Sequence, residues 1–314
     1  MTTAHTIDLA VRRLLVAAGE APSALNTQPW RFRVRNENMI EMLADWDRWL
    51  RVSDPRGRSL HVSCGAALFN LRVAAQAARR RPAAELLPEP GEASGLLATV
   101  RFDAQAPSLA DMRELYELIP HRRTNREPFS ERLIPASVLS EMRTAASLER
   151  ARLLFLDRRS AIDLLDYAAI AESELAGNPE YLAELAAWST GQGVPAHVQG
   201  PQAIGDMDPV RDFGRRTGSA RFEARPQLAV LTTAGDEPLD WLRAGQALQR
   251  VLLVAAKHAV SASFLNQPLD LRDMRRHSDP HHRRGHPQMI MRLGYGPMVP
   301  RAPRRPVADL LVEN

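Results

Sequence analysis

A degenerate internal repeat limits the fold of this chain more than any other feature. Gly65, Ala67, Leu68 and Ala75 recur as Gly245, Ala247, Leu248 and Ala255 at a constant offset of 180 positions. Thr99-Val-Arg-Phe resembles Ile290-Met-Arg-Leu, and the helix and strand read over Leu9–Val34 resemble those over Leu139–Leu156. Chance can supply four shared small or apolar residues, but the matching order of elements favours duplication. At 314 residues the chain has room for two domains or one domain with two halves. We expect halves at 1–118 and 119–314.

The two copies are unequal. Between helix and strand the first carries a nine-residue loop, Ala21–Pro29, where the second has only Ser147–Ala151. The basic segment Arg122-Arg-Thr-Asn-Arg precedes the second copy and has no counterpart before the first. Residues 178–225 are rich in Gly, Pro, Asp and Gln, and a stretch of that length reads as a functional lid or a mobile insert.

Apolar residues at helical spacing predict helices near Ile7–Ala18, Leu60–Arg79, Ala136–Leu148, Ser160–Gly177, Tyr181–Trp188 and Pro238–Ala259. Alternation predicts strands at Trp30–Val34, Met39–Ala44, Leu96–Phe102, Arg152–Leu156, Gln227–Thr233 and Pro287–Leu293. Pro82–Gly95 reads as a connector, and Ser108–Asp111 as a capping box opening a helix through Leu118. The tail after Gly294 is rich in Pro and Arg.

The hydrophobic fraction of 45% and charged fraction of 25% exclude wholesale disorder and a collagen-like chain. The pI is about 9.8 although the net charge is only +4. Lys257 is the sole lysine among 41 basic residues, so almost no base titrates below pH 12. A coding bias explains that plainly; anion binding explains it more pointedly, because Arg grips phosphate bidentately. The 37 acids are spread among the bases, which favours a few local anion sites over a nucleic-acid face. The single cysteine, Cys64, allows no internal disulfide and no paired-cysteine zinc motif, and it reads as a core residue. No apolar run follows a basic start, and the longest apolar stretch, Val251–Ala256, is far too short to span a bilayer. The expectation is a cytoplasmic protein with neither membrane nor nucleic acid as partner.

Two segments carry the chemistry. Arg122, Arg123, Thr124 and Arg126 place three guanidinium groups and a hydroxyl within five residues, a set suited to a phosphate dianion. The plain alternative is a solvated basic loop. Pro22–Trp30 holds Ser23, Asn26 and Gln28 between two prolines, a donor and acceptor set able to read the edge of a planar heterocycle. The plain alternative is a helix-to-strand turn. His277, His281, His282 and His286 crowd one loop with Asp279, but their spacing matches no zinc motif and no metal site is expected. Trp188, Met207 and Phe213 lie in the insert, where they either cap a ligand or pack the insert onto its own domain.

Ala21-Pro-Ser-Ala-Leu-Asn-Thr-Gln-Pro-Trp-Arg-Phe resembles the signature loop of the nitroreductase family of FMN flavoproteins. Arg122-Arg-Thr-Asn-Arg resembles that family's basic segment, Ala244-Gly-Gln-Ala-Leu-Gln-Arg its central helix, and Leu293-Gly-Tyr-Gly-Pro with the basic tail its C-terminus. The tandem layout, shortened second loop and insert resemble its actinobacterial Acg-type branch. The resemblance covers nearly the whole chain outside Asn178–Arg225. It implies an α/β (α+β) nitroreductase-like fold of two repeats forming an intramolecular pseudo-dimer, sheets flanked by helices, with one composite FMN site and a second site lost. It also implies an oxidoreductase drawing on NAD(P)H to reduce a small-molecule acceptor. The chemistry would belong to the flavin, so no catalytic side chain is assigned.

By the same resemblance Arg122 and Arg304 would hold the phosphate, with Arg301 or Arg305 as rivals. Arg123 and Thr124 would line the site, Arg126 would sit near flavin N1 and O2, and Ser23, Asn26 and Gln28 would come from the first half. Asn266 falls where the family's backbone meets N5 and O4, although Phe264 and Asn266-Gln267 replace the family's Pro and acid-Gly pair. The alternative activity is non-catalytic FMN binding or sequestering beneath a lid. A monomer acting as a pseudo-dimer is expected, with further self-association left open.

Overall fold

The computed structural model describes residues 8–88, 95–103, 110–191, 193–205, 211–214, 216, 218–271 and 285–312. The first half runs α1 (Leu9–Gly19), β1 (Trp30–Asn36), β2 (Met39–Ala44), α2 (Arg58–Ala77), β3 (Arg81–Leu86) and β4 (Leu96–Asp103). Its strands form an antiparallel sheet in the order β1-β2-β4-β3. After α3 (Ala110–Leu118), the second half begins with α4 (Ala136–Leu148) and β5 (Arg152–Phe155). It continues with α5 (Arg158–Ala176), α6 (Pro179–Trp188), β6 (Gln202–Ala203) and β7 (Ser219–Ala220). It closes with β8 (Gln227–Thr233), α7 (Pro238–Lys257), β9 (Ser261–Phe264), α8 (Gln267–Asp270) and β10 (His286–Gly294). The second sheet is antiparallel in the order β5-β8-β10-β9.

Helices α2 and α7 form the centre. A helix buried on nearly every side needs small residues where another backbone approaches, and the two sequence-related glycines supply them. A Cβ on Gly65 would meet the Leu242 carbonyl oxygen at 2.2 Å, and one on Gly245 would meet that of Val62 at 2.0 Å. Around this crossing one continuous core joins Trp30, Phe32 and Ile40 of the first sheet to Leu231 and Met291 of the second. The N-terminus of α7 is fixed by Pro238 in its first turn and by a capping box between Glu237 and Asp240.

Two chain segments cross between the sheets. The C-terminal tail returns to the first, where Leu311 bridges Phe32 and the Val312 amide donates to the Phe32 carbonyl at 3.0 Å. The basic segment lies on the edge of the second. Thr124 bridges Ala262 of β9, and the Asn125 amide donates to the Ala262 carbonyl at 2.8 Å. Just beyond, fully buried Arg292 pairs with Glu223 at 2.8 Å and lies 4.0 Å from the Phe129 ring centre.

The structure contains short elements that the sequence reading lacks. Arg81–Leu86 is a strand rather than part of a connector; it lies at the sheet edge, mostly exposed, where Pro82 costs little. β6, β7, β9 and α8 have no counterpart in the predicted elements; at two or four residues each they are too short to show a period. Helix α5, expected over Ser160–Gly177, lies between the paired strands β5 and β8 together with α6, β6 and β7. Ser108, Met207, His277, Asp279, His281 and His282 lie outside the described residues, whereas His286 opens β10.

Candidate functional site

The loop after α1 is conformationally costly. Leu25, Asn26 and Gln28 all adopt left-handed φ values, of 45°, 57° and 50°. Such backbone costs side-chain-bearing residues about 1 kcal/mol or more each and persists only where the surroundings impose it. Here they do. The Ser23 hydroxyl accepts from the Gln28 amide at 2.9 Å, and the Gln28 Oε1 accepts from the Arg305 amide at 2.8 Å. The Asn26 Nδ2 donates to the carbonyls of Gly193 and Pro303 at 2.9 and 3.0 Å. One asparagine thus ties the first-half loop to both the insert and the C-terminal tail.

The tail brings Arg304 to this loop, where its Nη1 donates to the Asn26 Oδ1 at 3.0 Å. Arg122 arrives from the basic segment. Its Nη2 donates to the Glu20 carbonyl at 3.4 Å, while its Nε and Nη1 are buried without a hydrogen-bond partner. The Arg304 Nε is likewise buried without one. Burial pushes Arg122 down to about 9, and the like charges of Arg304 and Arg123 add to it. Burial, against the pull of Glu20, pushes Arg304 down to about 10. Arg123 is lowered too, by burial and then by Arg301. Clustered guanidiniums with unmet donors are unfavourable in the free protein and complementary to an anion.

These groups line a cavity of about 450 Å³, part of it open to solvent, formed by Ser23, Asn26, Arg122, Arg123, Thr124 and Arg304. Pro22, Ser23, Thr124 and Arg126 also line an adjoining cleft of about 870 Å³, part of it open to solvent. That cleft is walled by Val62 and Ser63 of α2, Leu248 of α7 and Phe264 and Asn266 of the second half. Arg126 stands at the junction, its Nη1 donating to the Val198 carbonyl at 2.8 Å and its guanidinium 5.0 Å from the Phe213 ring centre. Burial, then Arg211 and Arg216, push it down to about 10.

Of the ten residues singled out in the sequence, eight line these two cavities: Ser23, Asn26, Arg122, Arg123, Thr124, Arg126, Arg304 and, in the larger cleft alone, Asn266. The Asn266 side chain is engaged by β10, its Oδ1 accepting from the Ile290 amide at 2.9 Å. Gln28 and Arg301 do not line either cavity. Gln28 is fully buried and serves as the joint between loop and tail. Arg301 is half-exposed and ion-paired to Glu20. Arg305, the other tail candidate, is buried against Asp45 at 3.0 Å.

Sequence reasoning missed the α2 face, where Ser59, Val62 and Ser63 have helical spacing and turn to the cleft. It also missed Asp54, Asp270 and Arg211. The Asp54 carboxylate accepts from the Ser59 and Leu60 amides at the start of α2, and burial pushes it up to about 6. Arg211 pairs with Asp270 at 2.5 Å. No local signal marks those residues, because their neighbours are distant in sequence. Phe213 does reach the cleft, whereas Trp188 stacks beneath Arg48 with 5.0 Å between guanidinium and ring centre. Among the described residues no three His, Cys, Asp or Glu side chains gather as a metal site requires, and no helix is long and apolar enough to cross a membrane.

A two-sheet α/β protein with a buried, unsatisfied arginine cradle opening into a larger cleft is thereby defined. The chain belongs to the nitroreductase-like superfamily. It is 33% identical over 319 positions to the protein named "Putative NAD(P)H nitroreductase Rv3131" of Mycobacterium tuberculosis (strain ATCC 25618 / H37Rv), covering 96% of this chain and 90% of that relative. It is 29% identical over 328 positions to "Putative NAD(P)H nitroreductase acg" of the same strain, covering 99% and 96% respectively. Among solved structures, the FMN and NADPH-dependent nitroreductase NfnB from a Sphingopyxis strain (HMH) aligns with a TM-score of 0.41 at 14% identity, over 64% of this chain and 98% of that one. No family model matches.

Proposed function

We propose that the protein binds FMN in one composite site and acts as an oxidoreductase, taking electrons from NAD(P)H and passing them to a small-molecule acceptor. The observation that carries this is the set of buried Arg122 and Arg304 donors without partners, facing the strained Ser23–Asn26 loop. A phosphate monoester fits that set, since its oxygens would meet the donors the protein leaves open. Arg122, Arg304 and Asn26 would hold it, with Ser23, Arg123 and Thr124 beside it. The adjoining cleft, apolar at Val62, Leu248 and Phe264 and polar at Ser63 and Asn266, suits a planar heterocycle. When bound, the flavin supplies hydride transfer. Arg126, buried at the junction, would offer positive charge toward the ring, and the cleft walls would exclude water.

The matching strand orders β1-β2-β4-β3 and β5-β8-β10-β9 support a duplicated pseudo-dimer. A single site is supported by the arginines at a second junction, the end of α4, which corresponds to the end of α1. Glu149 ends α4 as Glu20 ends α1. Its carboxylate pairs with Arg72 at 2.8 Å and with Arg250 at 2.9 Å, so those guanidiniums are already matched. The tandem layout and the end-to-end match to the acg-named relative favour the Acg-type branch. On this reading the protein is cytoplasmic, works as a single chain and needs neither membrane nor nucleic acid.

A second reading is a flavin-binding protein without turnover. It is favoured by Arg211 and Phe213 of the insert, which wall the same cleft as Asn266. Absorbance spectra of the purified protein separate the two. One equivalent of FMN, bleached anaerobically by NADPH, is expected of the reductase. Bound FMN that no donor reduces supports sequestration. No flavin bands, even after incubation with FMN, would overturn both.

A further inference from the structure

We propose that Glu20 sets the charge of the phosphate end by holding Arg301 outside it, and so sets how strongly the site favours a phosphorylated ligand over its dephosphorylated form. The inference rests on the reading of this cavity as a phosphate site.

Glu20 follows the last residue of α1, which has no basic residue in its last turn. The Glu20 backbone carbonyl accepts from Arg122 at 3.4 Å and from Arg304 at 3.3 Å, so both cradle arginines rest on the negative end of the helix. Its carboxylate does something different. One oxygen pairs with Arg301, and the other lies 3.9 Å from the Arg304 Nε. Glu20 is itself almost buried, whereas the Arg301 side chain is 49% exposed. Arg301 is three residues from Arg304, and its charge depresses both Arg123 and Arg304. It therefore stands within the field of the cradle yet lines neither cavity. A long, half-exposed arginine held by one carboxylate has the freedom to turn inward once that carboxylate is neutral. The native site thus presents Arg122, Arg123 and Arg304 to a phosphate and keeps a fourth guanidinium paired beside them.

The test is a mutant cycle with Glu20→Gln, Arg301→Met and the double variant, each titrated with FMN and with riboflavin at fixed ionic strength. Glutamine keeps the size of Glu20 but withdraws the charge that offsets buried Arg304, so a thermal melt of each variant accompanies the titrations. Glu20→Gln is expected to tighten FMN about tenfold, the worth of one added charged hydrogen bond, and to leave riboflavin unchanged. Arg301→Met alone is expected to shift FMN affinity less than about twofold, and in the double variant the gain should vanish. An unchanged ratio of FMN to riboflavin affinity in Glu20→Gln would overturn the proposal. So would a gain that survives in the double variant, which would mean simple loss of a negative charge.

Inorganic phosphate, read by thermal shift on the same four proteins, separates this proposal from the flavin reading. If the native protein ignores FMN while phosphate stabilises Glu20→Gln more than the double variant, the role of Glu20 stands and the flavin reading falls. If phosphate stabilises none of them, both fall.

Discussion

A Cβ placed on Gly65 would stand 3.0 Å from the Cα of Gly245, so two helices of twenty residues each cross with their backbones in contact. The crossing lies beneath the larger cleft, whose walls include Val62 and Ser63 on one helix and Leu248 on the other. Packing and site are therefore coupled. Gly245→Ala is expected to destabilise the protein by about 3 kcal/mol, because a methyl there meets the Val62 carbonyl rather than a flexible side chain. Urea unfolding measures it. A change under about 0.5 kcal/mol would show that the helices separate easily, contrary to this packing.

Arg122→Met should separate stability from binding. Methionine fills similar volume and removes a buried charge with two unmet donors, so the ligand-free protein should gain about 1–3 kcal/mol. FMN affinity should fall roughly a hundredfold, as two charged hydrogen bonds are lost. Thermal melts without ligand and an FMN titration read the two effects. A variant that is both less stable and equally tight would contradict the assignment of Arg122 to the anion.

Asp54 makes stability depend on pH in an unusual direction. Its folded value of about 6 lies above the ordinary 3.8 because burial outweighs Arg58 and the two backbone donors. The folded state therefore holds the proton more tightly. Its contribution is fully present below about pH 4 and is lost as pH rises through 6, by of order 3 kcal/mol at most. Denaturation midpoints of the native protein and of Asp54→Asn, compared at pH 4.5 and pH 7, should converge at the higher pH or cross. Parallel curves would remove Asp54 as the cause.

One carboxylate of the insert makes three hydrogen bonds to the first half. Glu184 accepts from the amides of Val52 and Ser53, each at 3.0 Å, and from the Ser53 hydroxyl at 2.7 Å. Glu184→Ala should speed hydrogen exchange at Val52 and Ser53 by about tenfold or more, with exchange in α2 and α7 unaltered. Unchanged exchange at those two amides would show that the other ties, such as Asn26 to Gly193, hold the insert without Glu184.

Much of the site was legible because its chemistry is local. Ser23–Asn26 and Arg122–Arg126 each gather their groups within five residues, and a short window shows them whatever the fold does. The glycines of α2 and α7 were visible as members of the repeat, but that the two helices cross at them came only from the structure. What was not legible depends on distance in the chain. Gln28 and Asn26 share one loop and similar polarity, yet only Asn26 faces the cavity. Gln28 turns instead to the tail, more than 270 positions away. Edge strand β3 was hidden by its proline and its exposed face, because the period that marks a strand comes from burial on one side.

The sequence by itself determined that a pattern of small and apolar residues recurs 180 positions on, and that one loop and one basic segment lie about a hundred residues apart. Only the tertiary structure decided that these segments meet. The Arg122 donors go unmatched because α1, the tail and β9 converge there, whereas Glu149 satisfies Arg72 and Arg250 at the other junction. The physical reason is that composition counts charges, while the energy of a buried charge depends on which partners the fold brings within hydrogen-bond reach.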